Sequence, residues 1–202
     1  MVSGEESTMR PGFAEAVIGI LTRPRDTLRQ VADGGSLGLA LVILVLVAMV
    51  TGLSSALASP GTAEWVGGTI PLALLTAMGA VLFLLVQAGM GYGLARLLGS
   101  RGNFRGLLSG LVLANVPSVF QAPFALLAVT LGPAGMVLQA LGQVALSIWA
   151  VALSVLAVRE TFAVSTGRAA FIYFFPLILT LILALAVAVV VMVIGMLLPA
   201  LF

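Results

Sequence analysis

Five side-chain amides and two prolines are the groups in the apolar part of this chain whose types and spacing could do chemistry. In "LANVPSVFQAP", residues 113–123, Asn115 stands two residues before Pro117 and Gln121 two before Pro123; Gln87, Gln139 and Gln143 sit in neighbouring apolar runs. An amide donates and accepts hydrogen bonds without titrating, so these residues can hold a carbonyl or an uncharged solute but cannot relay a proton. Each proline removes the donor that the carbonyl four residues earlier would use, here Leu113 and Val119. The segment should therefore kink or locally unwind, with Asn115, Gln121 and Gln87 supplying donors across helices. The alternative is an unwound span lining a substrate cavity. Gln139 and Gln143 are one helical turn apart and should point together into the bundle.

What the chain lacks removes most other chemistry. It has no histidine, no cysteine and no lysine, hence no thiolate nucleophile, no thiolate metal site and no Ser-His pairing. No ionisable residue lies in the middle of an apolar run, which counts against proton relays, ion-coupled transport, voltage sensing and paired intramembrane aspartates. The glycines of "GMGYGLARLLG" lack the preceding strand of a nucleotide loop. Neither an enzyme nor a cofactor or metal is expected.

The elements that must position the amides are membrane spans. A chain that is 61% hydrophobic, with a mean hydropathy of +1.25, is too apolar for a water-facing surface. A hydrocarbon core about 30 Å thick needs roughly 20 apolar residues in a helix. Five stretches qualify, at about residues 37–58, 69–98, 106–131, 134–158 and 169–198. The fifth is longer than a perpendicular crossing requires, so tilt or an interfacial first turn around Tyr173 and Phe174 is expected. The fold class is thus an all-α polytopic membrane protein with five transmembrane helices.

The nine arginines all fall on one side of this ladder. Arg10, Arg23, Arg25 and Arg29 precede the first span; Arg96, Arg101 and Arg105 lie between spans two and three, in "RLLGSRGNFRG"; Arg159 and Arg168 lie between spans four and five. The opposite loops carry no arginine and one carboxylate, Glu64. Arginine-rich short loops stay in the cytoplasm, so the N-terminus is expected inside and the C-terminus outside. The eight arginines from Arg23 onward are candidate contacts for lipid phosphates or a cytoplasmic partner. Seven carboxylates against nine scattered arginines give no nucleic-acid footprint, and no nucleic-acid partner is expected.

Residues 1–35 read as a cytoplasmic segment and 36–202 as the membrane domain. The start "MVSGEESTMRPG" is polar and acidic, and the first span follows about 35 residues later, so that span is read as retained rather than as a cleaved leader. Phe13, Val17, Ile20 and Leu21 form one helical stripe, and after Pro24 the stripe resumes with Leu28 and Val31 opposite Arg25, Asp26 and Arg29. One or two short amphipathic helices should lie along the leaflet or cap the bundle, with Gly34-Gly35 as a hinge. Gly89, Gly93, Gly91, Ala95 and Gly99, then Gly106, Gly110 and Ala114, place small residues on both sides of the arginine hairpin; spans two and three should meet there.

"ILTRPRDTLRQVA", "LARLLGSRGNFRGLLSGLVLANVP" and "STGRAAFIYFFP", in this order among five spans, resemble the Yip domain family of Ypt/Rab-interacting membrane proteins. The resemblance covers the chain from about Phe13 onward and implies an N-in, C-out five-helix bundle. Its eukaryotic members are associated with prenylated Rab-type GTPases and with Golgi and transport-vesicle membranes. This chain has a short head, no Asp-Leu-Tyr-Gly-Pro stretch and no Gly-Tyr pair before Pro117, so a Rab-type GTPase partner is not expected. The all-arginine, Ala/Gly/Leu/Val-heavy composition points to a bacterial gene and the inner membrane. The functional expectation is a non-enzymatic scaffold or accessory subunit binding membrane lipids, a membrane protein complex or a second copy of itself, possible settings being membrane organisation and trafficking. The runner-up is a neutral-solute permease or channel built on the Pro-broken third span.

Overall fold

A computed structural model describes residues 12–34 and 37–197. Arg10, Gly35 and the end of the fifth span at Leu198 lie outside the described residues. About 90% of the described residues are helical, and none of them is in a strand. The helices are α1 (Phe13–Thr22), α2 (Pro24–Gly34), α3 (Leu37–Ala58), α4 (Pro60–Trp65), α5 (Thr69–Leu97), α6 (Phe104–Ala114), α7 (Gln121–Leu131), α8 (Pro133–Phe162) and α9 (Thr166–Leu197). A 3-10 turn, Val116–Phe120, joins α6 to α7. Five segments are long and apolar enough to cross a membrane: α3, α5, α6 with α7, α8 and α9.

Local chemistry explains most of the boundaries. Pro60, Pro71 and Pro133 each fall in a helix's first turn, where a missing N–H has no intrahelical partner to lose. α5 stops at Gly99, whose φ of 75° is the left-handed conformation glycine adopts without strain; Ser100 N–H then reaches the Ala95 carbonyl at 2.9 Å and Gly99 N–H reaches Arg96 at 3.0 Å. α8 ends in the same way, but with Ala163 at φ 50°. The expected loop between the first two spans contains the short helix α4. α8 continues to Phe162, a turn past the expected 158, and α9 starts at Thr166 rather than 169.

The first four spans each bury part of their surface and leave an apolar stripe exposed, and α9, among its described residues, buries only Ala169, Ile172 and Pro176 near its start. In α3 the buried set is Ala40, Ile43, Leu44, Val47 and Ala48, while Leu41, Val42, Val45, Leu46 and Met49 are exposed. Apolar side chains on the outside are stable in lipid and costly in water, which is the membrane reading expressed in packing. The centre of the bundle is α6, where every residue from Gly106 to Ala114 is buried. It touches α2, α3, α5 and α8.

The N-terminal pair caps the bundle. Ala16, Ile20, Leu28 and Val31 join the same apolar core as Leu107, Leu111, Ala157 and Val158. Of the expected stripe, Val17 and Leu21 are only partly buried, because α1 turns Ala16 and Ile20 inward. Asn103 fastens this cap to α6. Its Oδ1 accepts a short hydrogen bond from Gly106 N–H, and its Nδ2 donates to the Ala32 carbonyl at 3.1 Å.

The glycines at the start of span three do not face span two. A Cβ on Gly106 would lie 2.7 Å from the Ala32 carbonyl, and one on Gly110 would lie 3.0 Å from Ala157, so this stripe faces α2 and α8. A Cβ on Gly89 or Gly93 would meet no atom of another helix within 4 Å. Spans two and three do meet at this end, but through the edge-to-face rings of Tyr92 and Phe104, with centroids 5.8 Å apart. Within the spans, glycine lets backbones approach most closely between α7 and α8, where a Cβ on Gly135 would overlap the Leu127 carbonyl, and next between α3 and α5, where one on Gly52 would overlap the Ala73 carbonyl.

Two measurements of thermal unfolding in detergent check this packing. Asn103→Ala should destabilise by about 1–3 kcal/mol through loss of a cap and an interhelical bond, whereas Asn103→Asp, which keeps the acceptor and loses the donor, should fall between it and wild type. Gly52→Val should strongly lower the transition temperature, and Gly79→Val, with nothing within 4 Å of its Cβ position, should leave it nearly unchanged.

Candidate functional site

The break in the third span is orderly. Pro117 is the second residue of the 3-10 turn and Pro123 the third of α7, so both occupy first-turn positions. The chain passes from α-helix to 3-10 turn and back without a fully unwound stretch. At the end of α6, Asn115 N–H bonds Val112 at 3.1 Å instead of the carbonyl four residues back. The Leu111 carbonyl so released accepts from Asn115 Nδ2 at 2.8 Å. Asn115 thus repairs its own helix end, contrary to the expectation that it reaches across helices.

Gln87 does reach across helices, to α9 rather than to the third span. It is 4% exposed, and its Nε2 donates to the Tyr173 carbonyl of α9 at 2.7 Å. Pro176 lies inside α9 and deprives the adjacent Ile172 carbonyl of its usual donor. Gly91, one turn along α5, brings its backbone close to that carbonyl: a Cβ there would be 3.7 Å from it. Tyr173, the eighth residue of α9, is half-buried and lines a cavity between the helices, whereas Phe174 beside it is exposed.

The six residues of the expected polar cluster divide between two cavities. The larger, about 240 Å³, lies among α3, α5, α6, α8 and α9 and is lined by Gln87, Asn115 and Gln121 together with Thr51, Ser118, Ser154 and Tyr173. Ser154 is within hydrogen-bonding reach of the Tyr173 phenol. The smaller, about 160 Å³, is lined by Gln121, Gln139 and Gln143 with Ser54, Ser55 and Ser59. Gln121 is common to both; Gln143 is exposed and Gln139 half-buried. Pro117 is buried beside this arrangement and lines neither cavity. Beyond the larger cavity, Leu107, Leu108 and Val158 fill the bundle towards the cap.

The arginine-bearing segments come together at one end. Arg25 Nε is 3.5 Å and Arg159 Nε 3.8 Å from Oε1 of Glu160, which ties α2 to α8; the distances serve charge attraction without hydrogen-bond geometry. Arg168 donates to the Leu98 carbonyl just past α5, joining the α8–α9 turn to the arginine hairpin. Gly102 of that hairpin lies against Phe162 and the Thr161 carbonyl. Arg23, Arg29, Arg96, Arg101 and Arg105 are exposed. Arg96 and Arg159 lie in the last turns of α5 and α8, where the helix dipole favours a cation.

Several of these groups were missed by reading amides and arginines alone. Glu160 follows Arg159 directly, and an acid at a span end beside arginines was a visible cue. Asn103 precedes an apolar run at the position of an N-cap. Thr51, Ser154 and Tyr173 are polar residues within spans, but only the three-dimensional packing selects them from the other hydroxyls.

Among the described residues, no group of His, Cys, Asp and Glu side chains is arranged to hold a metal ion. In comparisons with known proteins, the Yip1 domain profile matches residues 18–189. No curated protein and no solved structure is matched by the sequence. Because the match runs from the first helix of the cap well into the last span, this multi-pass membrane protein belongs to the Yip1 domain family.

Proposed function

We propose that this chain is a non-enzymatic membrane scaffold whose arginine end holds anionic lipid headgroups and presents that face to membrane partners as an accessory subunit. The observation that carries the reading is the gathering of three separate arginine segments onto one end, with Glu160 and the Leu98 carbonyl as their joints. Eight arginines and four carboxylates lie on the described parts of those segments, and seven of the arginines are exposed. A guanidinium pairs with phosphate oxygens in a planar, two-pronged geometry, and anionic leaflets attract each nearby arginine by about 1 kcal/mol. In this reading the arginine end faces the cytoplasm, with the N-terminus inside and the C-terminus outside, and the membrane is the inner membrane of a bacterial cell.

The runner-up, passage of a neutral solute, draws on the polar line Gln143, Gln139, Gln121, Asn115 and Gln87. That line ends against apolar side chains before the arginine end. The scaffold reading therefore takes precedence. If Asn115→Leu with Gln121→Leu abolished solute uptake into liposomes that the unaltered chain supports, the order would reverse.

Two experiments test the proposal. In neutral detergent, short-chain phosphatidylglycerol should raise the unfolding temperature by several degrees where phosphatidylcholine does not, and high salt should diminish the effect. Arg101→Gln with Arg105→Gln should at least halve it; equal responses to the two lipids would refute lipid recognition. The absence of native cysteine permits a topology measurement. Ser59→Cys should react with an impermeant maleimide on intact cells, and Ser165→Cys only after lysis; the reverse pattern would place the arginines on the wrong side.

A further inference from the structure

The smaller cavity lies towards the end of the bundle remote from the arginines. Ser59 follows the last residue of α3, Gln121 is the first residue of α7, and Gln139 and Gln143 are the seventh and eleventh of α8. Ser55, Ala58, Ser59 and Gln143 are exposed at its rim, while Gln121, Gln139 and Phe124 are half-buried in its wall. Phe124 packs closely there because α8 has a glycine opposite it: a Cβ on Gly142 would lie 2.7 Å from the ring.

The hydrogen-bonding groups of this cavity are largely unspent. Ser54 Oγ donates to the Val50 carbonyl of its own helix at 2.7 Å. The amides of Gln121, Gln139 and Gln143 and the hydroxyls of Ser55 and Ser59 have no hydrogen-bond partner among the described residues. Gln87 Oε1 is sealed away, but the amides of Gln121 and Gln139 stay open to a water-sized group. Three amides thus offer donors and acceptors around one space, inside spans where hydrocarbon offers neither. Leaving them bare there is costly.

No carboxylate and no arginine lines the cavity, so a charged molecule would leave water without a counter-charge. A purely apolar guest would strand the amides. The volume, about 160 Å³, is more than one bridging water needs. From several reachable, unpaired amides around an uncharged space with one aromatic wall, we infer that the cavity between α3, α7 and α8 is a binding site for a small uncharged polyol. Its hydroxyls exchange hydrogen bonds with Gln121, Gln139 and Gln143, and its carbon face lies against Phe124. The apolar core towards the cap closes the route beyond, so the polyol is held rather than passed. The site uses none of the arginines, and lipid recognition at their end can fail separately.

Saturation-transfer NMR on the full chain in phosphatidylcholine nanodiscs, with meso-erythritol as the probe, tests the inference. Unaltered protein should give a saturable signal. Gln121→Leu and Gln139→Leu should each weaken binding about tenfold, the value of one hydrogen bond, and the pair together should abolish it. Because neither amide bonds another part of the protein, both variants should keep the unfolding temperature and the phosphatidylglycerol response of the unaltered chain. Should the double variant fail to fold, Ala58→Leu, which fills the cavity from the rim of α3, takes its place and should likewise abolish the signal. No saturable signal from the unaltered chain, or undiminished binding by the double variant or by Ala58→Leu, overturns the site and leaves a cavity that holds water alone.

Discussion

A backbone carbonyl in hydrocarbon needs a donor, and this requirement organises the polar side chains of the molecule. Helix ends and prolines release carbonyls, and long polar side chains reach those places. Asn115 covers Leu111 in the last turn of α6, and Gln87 covers Tyr173 next to the break made by Pro176. Asn103 covers Ala32 in the last turn of α2, and Arg168 covers Leu98 past the end of α5. Three of these four bonds join different elements, so satisfying the backbone also sets which helices are neighbours. Such bonds contribute about 0.6–2 kcal/mol each in a membrane, modest singly and directional together.

The same constraint shapes the two ends differently. At the arginine end, the cap of α1 and α2, the hairpin after α5 and the turn after α8 are locked by contacts that bury α6 on all sides. Away from it the packing opens. α7 buries only Ala125, and α9 is exposed throughout residues 181–194. Without a hydrophobic driving force between helices, tight packing occurs where small residues, rings or hydrogen bonds meet, and lipid can solvate the remainder. The polar cavities lie between these regimes, below the sealed core and beside the break that Pro117 imposes.

The amides show how a correct residue class can receive the wrong partner. Asn115, Gln121 and Gln87 were legible as polar groups near proline breaks, and they share a cavity. Yet Asn115 turned to its own helix, because the switch to a 3-10 turn released Leu111 within its reach. Gln87 bonds the Tyr173 carbonyl of α9 rather than any carbonyl of the third span. The glycines behaved likewise: the spacing of Gly106 and Gly110 correctly marked a close approach, but α2 and α8 were the elements approaching.

By itself the sequence determined the class of the molecule, since long apolar runs and the energetic cost of arginine in lipid leave few arrangements besides five crossings with the cations gathered at loop ends. It also determined the break in the third span, because proline cannot donate whatever surrounds it. Only the tertiary structure decided that the N-terminal stripe is covered by α6 and α8, that Glu160 joins α2 to α8, and that Ser154 and Tyr173 share a cavity with Gln87. Those outcomes depend on which helices are neighbours, and hydropathy is nearly blind to that choice when lipid and protein are equally apolar.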